Sequence, residues 1–171
     1  MPRFLLAAAI VCAALLQAAV LPQITPLQVR PNLVLVLVLL WTVARGLREG
    51  AIWAFGAGIF LDLVTLGPLG GHALALMSVA AIGALSRLAG FRLGLLQPML
   101  AALVATLAHD TLLLLIGGAG AGLASTLLRL SLLAGLFNLV TVPAVALLTD
   151  RLQRWVVREE EAFGRPRVRK T

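Results

Sequence analysis

Tyrosine is absent from this chain of 171 residues, cysteine occurs once, histidine twice, and only 12% of the residues are charged. Each scarcity removes a class of function. A single cysteine leaves no partner for an internal disulfide and no thiolate cluster for a metal, and in its apolar run Cys12 reads as a small hydrophobe. His72 and His109 lack metal-ligand spacing, and no serine or cysteine has an evident base beside it, so zinc and nucleophilic chemistry are not indicated. So few charges cannot cover the surface of a soluble domain of this length.

What fills the chain is hydrocarbon: 61% of its residues are hydrophobic and the mean hydropathy is +1.03. Six apolar stretches run from Phe4 to Leu21, Asn32 to Ala44, Ala51 to Leu66, Ala73 to Ala89, Leu93 to Ile116 and Ser125 to Thr149. The pattern predicts an all-α integral membrane protein with six transmembrane helices over 1–149 and a cytoplasmic amphipathic, basic tail over 150–171. A bilayer core of about 30 Å needs about 20 helical residues. The second stretch, closed by Arg45, falls short of that and is expected to be a thinned or partly re-entrant segment buried against its neighbours.

Positive charge gives the orientation, because lysine and arginine collect on the cytoplasmic side of short loops. All the basic residues except Arg30 and Arg129 fall on one side of the six-span arrangement, which places both termini in the cytoplasm of a plasma membrane. The loops near Pro22 to Pro31, Gly67 to Gly71 and Gly117 to Gly122 then face outward. The net charge of +7 reports topology and contact with anionic lipid; no stacking aromatics accompany the arginines as nucleic-acid binding requires. Phe4 to Ala19 behind Arg3 reads as a membrane span, and its reading as a cleaved signal would leave five spans with the same C-terminal side. Val11 before Cys12 does not suit a lipoprotein site.

Asp62 stands out within the third stretch, since a carboxylate near a helix centre costs roughly 2.5–3.5 kcal/mol to insert and calls for a partner or a task. At 100° per residue Ala51, Ala54, Gly58, Asp62 and Thr65 share one stripe of small residues, with Phe55 at its edge, so Asp62 is expected to face protein. The fifth stretch aligns Ala102, Thr106, Asp110 and Gly117, and the sixth aligns Ser131, Gly135, Asn138, Val142 and Thr149. Placed by depth, Asp62, Asp110 and Asn138 lie in the outer half of the membrane, with His72, Arg30 and Arg129 near the outer interface. The expected arrangement is an ion-paired polar cluster in which Asp62 or Asp110 meets Arg129 or Arg30.

Other features carry less chemistry. His109 and Asp110 are neighbours about 100° apart on a helix and are not expected to orient one another as a catalytic pair. His72 opens a helix, where capping or interfacial water is expected. The run Gly117 to Gly122 has neither the lysine nor the hydroxyl of a phosphate loop and reads as a turn, while Gly46 with Gly50 and Gly90 with Gly94 lie in arginine-bearing loops. Asp150 to Arg158 reads as a helix leaving the membrane, with Trp155 at the interface, followed by acidic Glu159 to Glu161 and basic Arg165 to Lys170. No catalytic, cofactor or metal residues are expected, and the chain does not read as an enzyme.

Several local patterns occur together between Pro31 and Leu76. Pro31-Asn32-Leu33 opens an apolar span; Gly50 and Gly58, Phe60-Leu61-Asp62-Leu63, the turn Gly67-Pro68-Leu69-Gly70 and His72-Ala73-Leu74 follow. With these patterns the chain resembles the MreD family of rod shape-determining membrane proteins, over its whole length in size and span count. One departure is Asn32, where that family often has aspartate, so no role requiring charge is expected there. The resemblance implies a non-enzymatic scaffold of the bacterial cell-elongation complex, binding MreC and linking cytoplasmic MreB filaments to the peptidoglycan synthases RodA and a class B penicillin-binding transpeptidase. It also implies a fold similar to the substrate-binding S component of energy-coupling vitamin transporters. That fold supplies the alternative function, a vitamin or small-molecule binder, for which an aromatic outer pocket is expected; the three Trp and six Phe of this chain mostly lie away from the outer polar residues.

Overall fold

The computed structural model describes residues 3–19, 32–65, 69–88, 96–118 and 121–162, with side chains of the last segment given over 129–148 and at 151. Among the described residues there are six helices and no strand: α1 (Arg3–Ala19), α2 (Leu33–Arg45), α3 (Leu47–Thr65), α4 (Gly71–Leu88), α5 (Leu96–Ile116) and α6 (Ala121–Ala162). Three of them, α4, α5 and the Arg129–Leu148 part of α6, are long and apolar enough to cross a membrane, while the apolar parts of α1 and α2 are shorter.

The short second stretch is the centre of the protein. From Val34 to Leu39 every side chain of α2 is at most 8% exposed, so this helix is buried on all sides. It touches each of the other five helices. At 13 residues it rises only about 20 Å, less than a bilayer core, in keeping with the expected shortness and burial. The outer helices bury only one stripe each. On α1 that stripe is Leu6, Ile10, Ala13 and Ala14, while Phe4, Val11, Leu15 and Leu16 remain uncovered by protein, as suits lipid.

Small residues let backbones meet around this hub. Thr42 of α2 is fully buried between Gly50 of α3 and Gly83 of α4; a Cβ on Gly50 would come 2.7 Å from the Thr42 Cβ, and one on Gly83 would come 3.1 Å from it. The chain reverses from α2 into α3 through Gly46 alone, whose φ of +98° favours glycine and whose N–H donates to the Thr42 carbonyl at 2.7 Å. Gly50, which the sequence places in a loop, is therefore a buried helical residue. Near this end Arg45 lies over the Trp41 ring at 5.2 Å, and Trp53 meets Trp41 edge to face at 6.5 Å.

The last helix continues without interruption through Thr149 and Asp150 to Ala162, a length of 42 residues or about 63 Å, twice a bilayer core. Pro143 lies inside it and removes one rung of its hydrogen bonding. The basic block Arg165 to Lys170 lies outside the described residues, as do Arg30, Pro31, Gly67 and Pro68.

Candidate functional site

Asp62 lies one turn before the end of α3, on the face that α4 covers. The approach between the two helices is set by Gly58, one turn earlier: a Cβ there would lie 2.5 Å from the Ala73 nitrogen and 2.8 Å from the His72 carbonyl carbon. The stripe expected from the sequence is thus a real seam at Ala54, Gly58 and Asp62, all buried, whereas Thr65 is exposed and Ala51 only partly covered. At its top the chain turns back through Gly70, whose φ is +93°.

That turn aims two backbone donors at one carboxylate. Asp62 Oδ2 accepts from the Gly70 N–H at 2.7 Å, and Oδ1 accepts from the His72 N–H at 2.9 Å and lies 2.8 Å from His72 Nδ1. The first amides of a helix have no partner within it, and a local Asn, Asp, Ser or Thr ordinarily supplies one. Gly70 has no side chain to do so, and Asp62 performs the task from the neighbouring helix, where a negative charge also suits the positive end of α4. The acid, 1% exposed, is satisfied by these contacts. Arg129 is exposed and is not bonded to it; among the described residues neither Asp62 nor Asp110 meets an arginine, and the expected pairing with Arg30 lies outside the described residues.

The fifth helix is rotated relative to the stripe read from its sequence. Ala102, Thr106 and His109 face the interior, at 0%, 1% and 2% exposure, while Asp110 is partly covered and Gly117 is exposed. His109 Nδ1 and Asp110 Oδ1 are 2.9 Å apart, so the two neighbours do orient one another. The 100° separation constrains their Cβ atoms, and both side chains are long enough to lean back together. The ring of His109 lies 6.1 Å from that of His72, centroid to centroid. The structure therefore brings Asp62, His72, His109 and Asp110 into one cluster drawn from α3, α4 and α5.

Asn138 belongs to a second polar site, at the start of α2. Fully buried, it donates from Nδ2 to Thr106 Oγ1 at 2.9 Å and accepts at Oδ1 from the Asn32 N–H at 2.8 Å. Asn32 in turn caps α2, accepting from the Leu35 N–H at 2.9 Å, and Gln17 of α1 accepts from the Val34 N–H at 3.1 Å while donating to Asn32 Oδ1 at 3.3 Å. Asparagine caps a helix as well as aspartate does, so the departure from the family pattern at this position leaves the cap intact. The sequence places Thr106 on the stripe of its helix but gives no partner for it, and Gln17 carries no signal there at all, because in each case the partner lies outside its own helix. Ser131, Gly135 and Val142 are buried on the same face of α6 as Asn138, as their spacing predicts, and Gly135 packs on Leu103.

Among the described residues no group of three or more His, Cys, Asp or Glu side chains is arranged to hold a metal ion. The family model for rod shape-determining protein MreD matches residues 1–152. The chain belongs to the MreD family. No curated protein matches it, and neither does any solved structure. Membership gives the chain a role in rod-shape determination, within a membrane-associated, shape-determining structural family not known for catalysis. The apolar helices α4, α5 and α6 suit that membrane setting. Of the positions that carry the family resemblance, Asn32 and Gly70 lie at helix starts and Gly58 at a close backbone approach, while Pro31, Gly67 and Pro68 lie outside the described residues.

Proposed function

We propose that this protein is a non-enzymatic membrane scaffold of the bacterial cell-elongation complex, which holds MreC and links cytoplasmic MreB filaments to RodA and a class B penicillin-binding transpeptidase. In this reading all six helices lie in the plasma membrane, both termini are cytoplasmic, and the Leu69–Gly70 turn faces outward, where the extracytoplasmic parts of the synthases work. The observation that carries the reading is the turn itself. Asp62 clamps its Gly70 end through two backbone bonds, while Leu69 beside it is 75% exposed. A large apolar side chain next to a backbone already held in place offers a partner a docking element at reduced ordering cost. The buried polar groups Asp62 and Asn138 support the same reading, since their contacts build helix ends.

The test is affinity recovery of the full chain from gently solubilised membranes, with native mass spectrometry of what accompanies it. MreC and a wall synthase accompanying the intact chain, and depleted by Leu69→Glu at unchanged expression, support the scaffold. A chain recovered without either partner, or carrying a bound vitamin-like molecule, overturns it.

A further inference from the structure

We propose that Asp110 and Thr111 of α5 form a docking site, within the membrane, for a transmembrane helix of another protein that carries a lysine or arginine at matching depth. The inference rests on the scaffold reading and specifies how one partner helix is held.

Length places the two residues in hydrocarbon. The 21 residues of α5 rise about 31 Å, close to a bilayer core of about 30 Å, and the helix is apolar enough to cross one. Asp110 stands about 9 Å inside the Ile116 end. An aspartate side chain is too short to carry its carboxylate that far to water, as the long stem of a lysine or arginine does for its charge.

The carboxylate is only half satisfied. Oδ1 meets His109 Nδ1 at 2.9 Å, and among the described residues nothing bonds Oδ2. The side chain is 27% exposed. Asp62 is the contrast, a buried acid whose two oxygens take two backbone amides and an imidazole.

Thr111 repeats the pattern. Thr42, Thr65, Thr106 and Thr141 each donate to the carbonyl four residues earlier, the usual way in which a threonine satisfies its hydroxyl in an apolar helix. Thr111 is exposed and makes no hydrogen bond among the described residues. It shares the exposed stripe of α5 with Leu100, Val104 and Leu115, while α2, α4 and α6 pack on the rest of the helix. Asp110 lies at the edge of that stripe. An unbonded carboxylate oxygen and an unbonded hydroxyl, neighbours in sequence, thus mark one face of a helix that should be apolar throughout.

Charge selects the occupant. Ionisable groups within a membrane pair with one another, and a carboxylate there is compensated by a cation. A basic side chain on a partner helix is itself costly in lipid, so each group offsets the other only when the two helices meet, which makes the contact selective. A second copy of this chain matches less well. Asn138 bonds Thr106, which sets the two at one depth, and counting along the antiparallel helices from that bond puts Arg129 about 7–8 Å nearer the Ile116 end than Asp110.

The test measures energy transfer in lipid bilayers between the labelled full chain and two synthetic leucine–alanine transmembrane peptides, one with a single lysine about 9 Å from one end and one with leucine there. The lysine peptide should associate about tenfold more tightly. Asp110→Asn should remove that preference, and Asp110→Lys should transfer it to a peptide bearing aspartate. Circular dichroism monitors folding; should Asp110→Asn fail to fold, Thr111→Phe, which crowds the same face from an exposed position, still decides. Equal binding of the two peptides, or a preference that both variants retain, overturns the proposal, as does a dimer of the chain alone that Arg129→Gln dissociates. MreC and a synthase recovered by Asp110→Asn as fully as by the native chain overturn the inference and leave the scaffold standing. A native chain that recovers neither overturns the scaffold reading, and the inference with it.

Discussion

The carboxylate of Asp62 accepts the backbone N–H of His72 at 2.9 Å, so that an acid near the end of one helix caps the start of the next. With the Gly70 bond it replaces the missing side-chain cap of α4. Asp62→Asn retains one suitable oxygen and loses the charge, whereas Asp62→Ala leaves both amides without their acceptor. Thermal unfolding in detergent should rank the native chain above Asn and Asn above Ala, with about 1–3 kcal/mol lost in the alanine variant. Equal stabilities of the two variants would argue against capping as the role of this acid.

Gly58 and Gly56 form a matched pair on α3. A Cβ at Gly58 meets the backbone of Ala73 and His72, which cannot yield without separating α3 from α4, while a Cβ at Gly56 meets nothing within 4 Å. Gly58→Ala is expected to lose about 1–3 kcal/mol. Gly56→Ala should gain a few tenths to about 1 kcal/mol through helix propensity alone. Melting of both variants under one detergent condition checks the opposite signs.

Asn138 connects α6 to the start of α2. Asn138→Leu has no acceptor for the Asn32 N–H and no donor for Thr106 Oγ1, so a loss of about 1–3 kcal/mol is expected. Thr141→Val, three residues away, removes only a hydroxyl that bonds the carbonyl of its own helix at Phe137 and should change stability by less than about 0.5 kcal/mol. Urea unfolding of the two variants separates a bond between helices from one within a helix.

Leu69 separates docking from folding. It is 75% exposed and bears no part of the clamp that Asp62 makes. Leu69→Glu should leave the melting temperature unchanged and reduce recovery of MreC and the synthases severalfold. A fall in melting temperature instead would make Leu69 a structural residue.

Periodicity alone exposed much of this architecture. The seam of Ala54, Gly58 and Asp62 and the inner face of Ser131, Gly135, Asn138 and Val142 follow from small or polar residues recurring at helical spacing, and the short buried second helix from the length of its unbroken apolar run. Partners were a different matter. Charge complementarity directs Asp62 or Asp110 to Arg129 or Arg30, but the donors that Asp62 meets are backbone amides and the His72 ring, and amides carry no signature in a residue pattern until the φ of Gly70 is known. A helical wheel favours Asp110 over His109 because it assigns directions to Cβ atoms, and a small rotation of α5 decides which neighbour faces inward. The bond between Asn32 and Asn138 spans 106 residues and leaves no local trace.

That last bond has a consequence for biogenesis. Chains are made from the N-terminus, and a polar amide in hydrocarbon without an acceptor is costly. The hub helix α2 is synthesised early, yet the acceptor for the Asn32 N–H is carried by α6, 106 residues later. The middle of this protein is therefore completed by α6, and a chain cut short before that helix leaves the amide at the start of its hub helix without this acceptor.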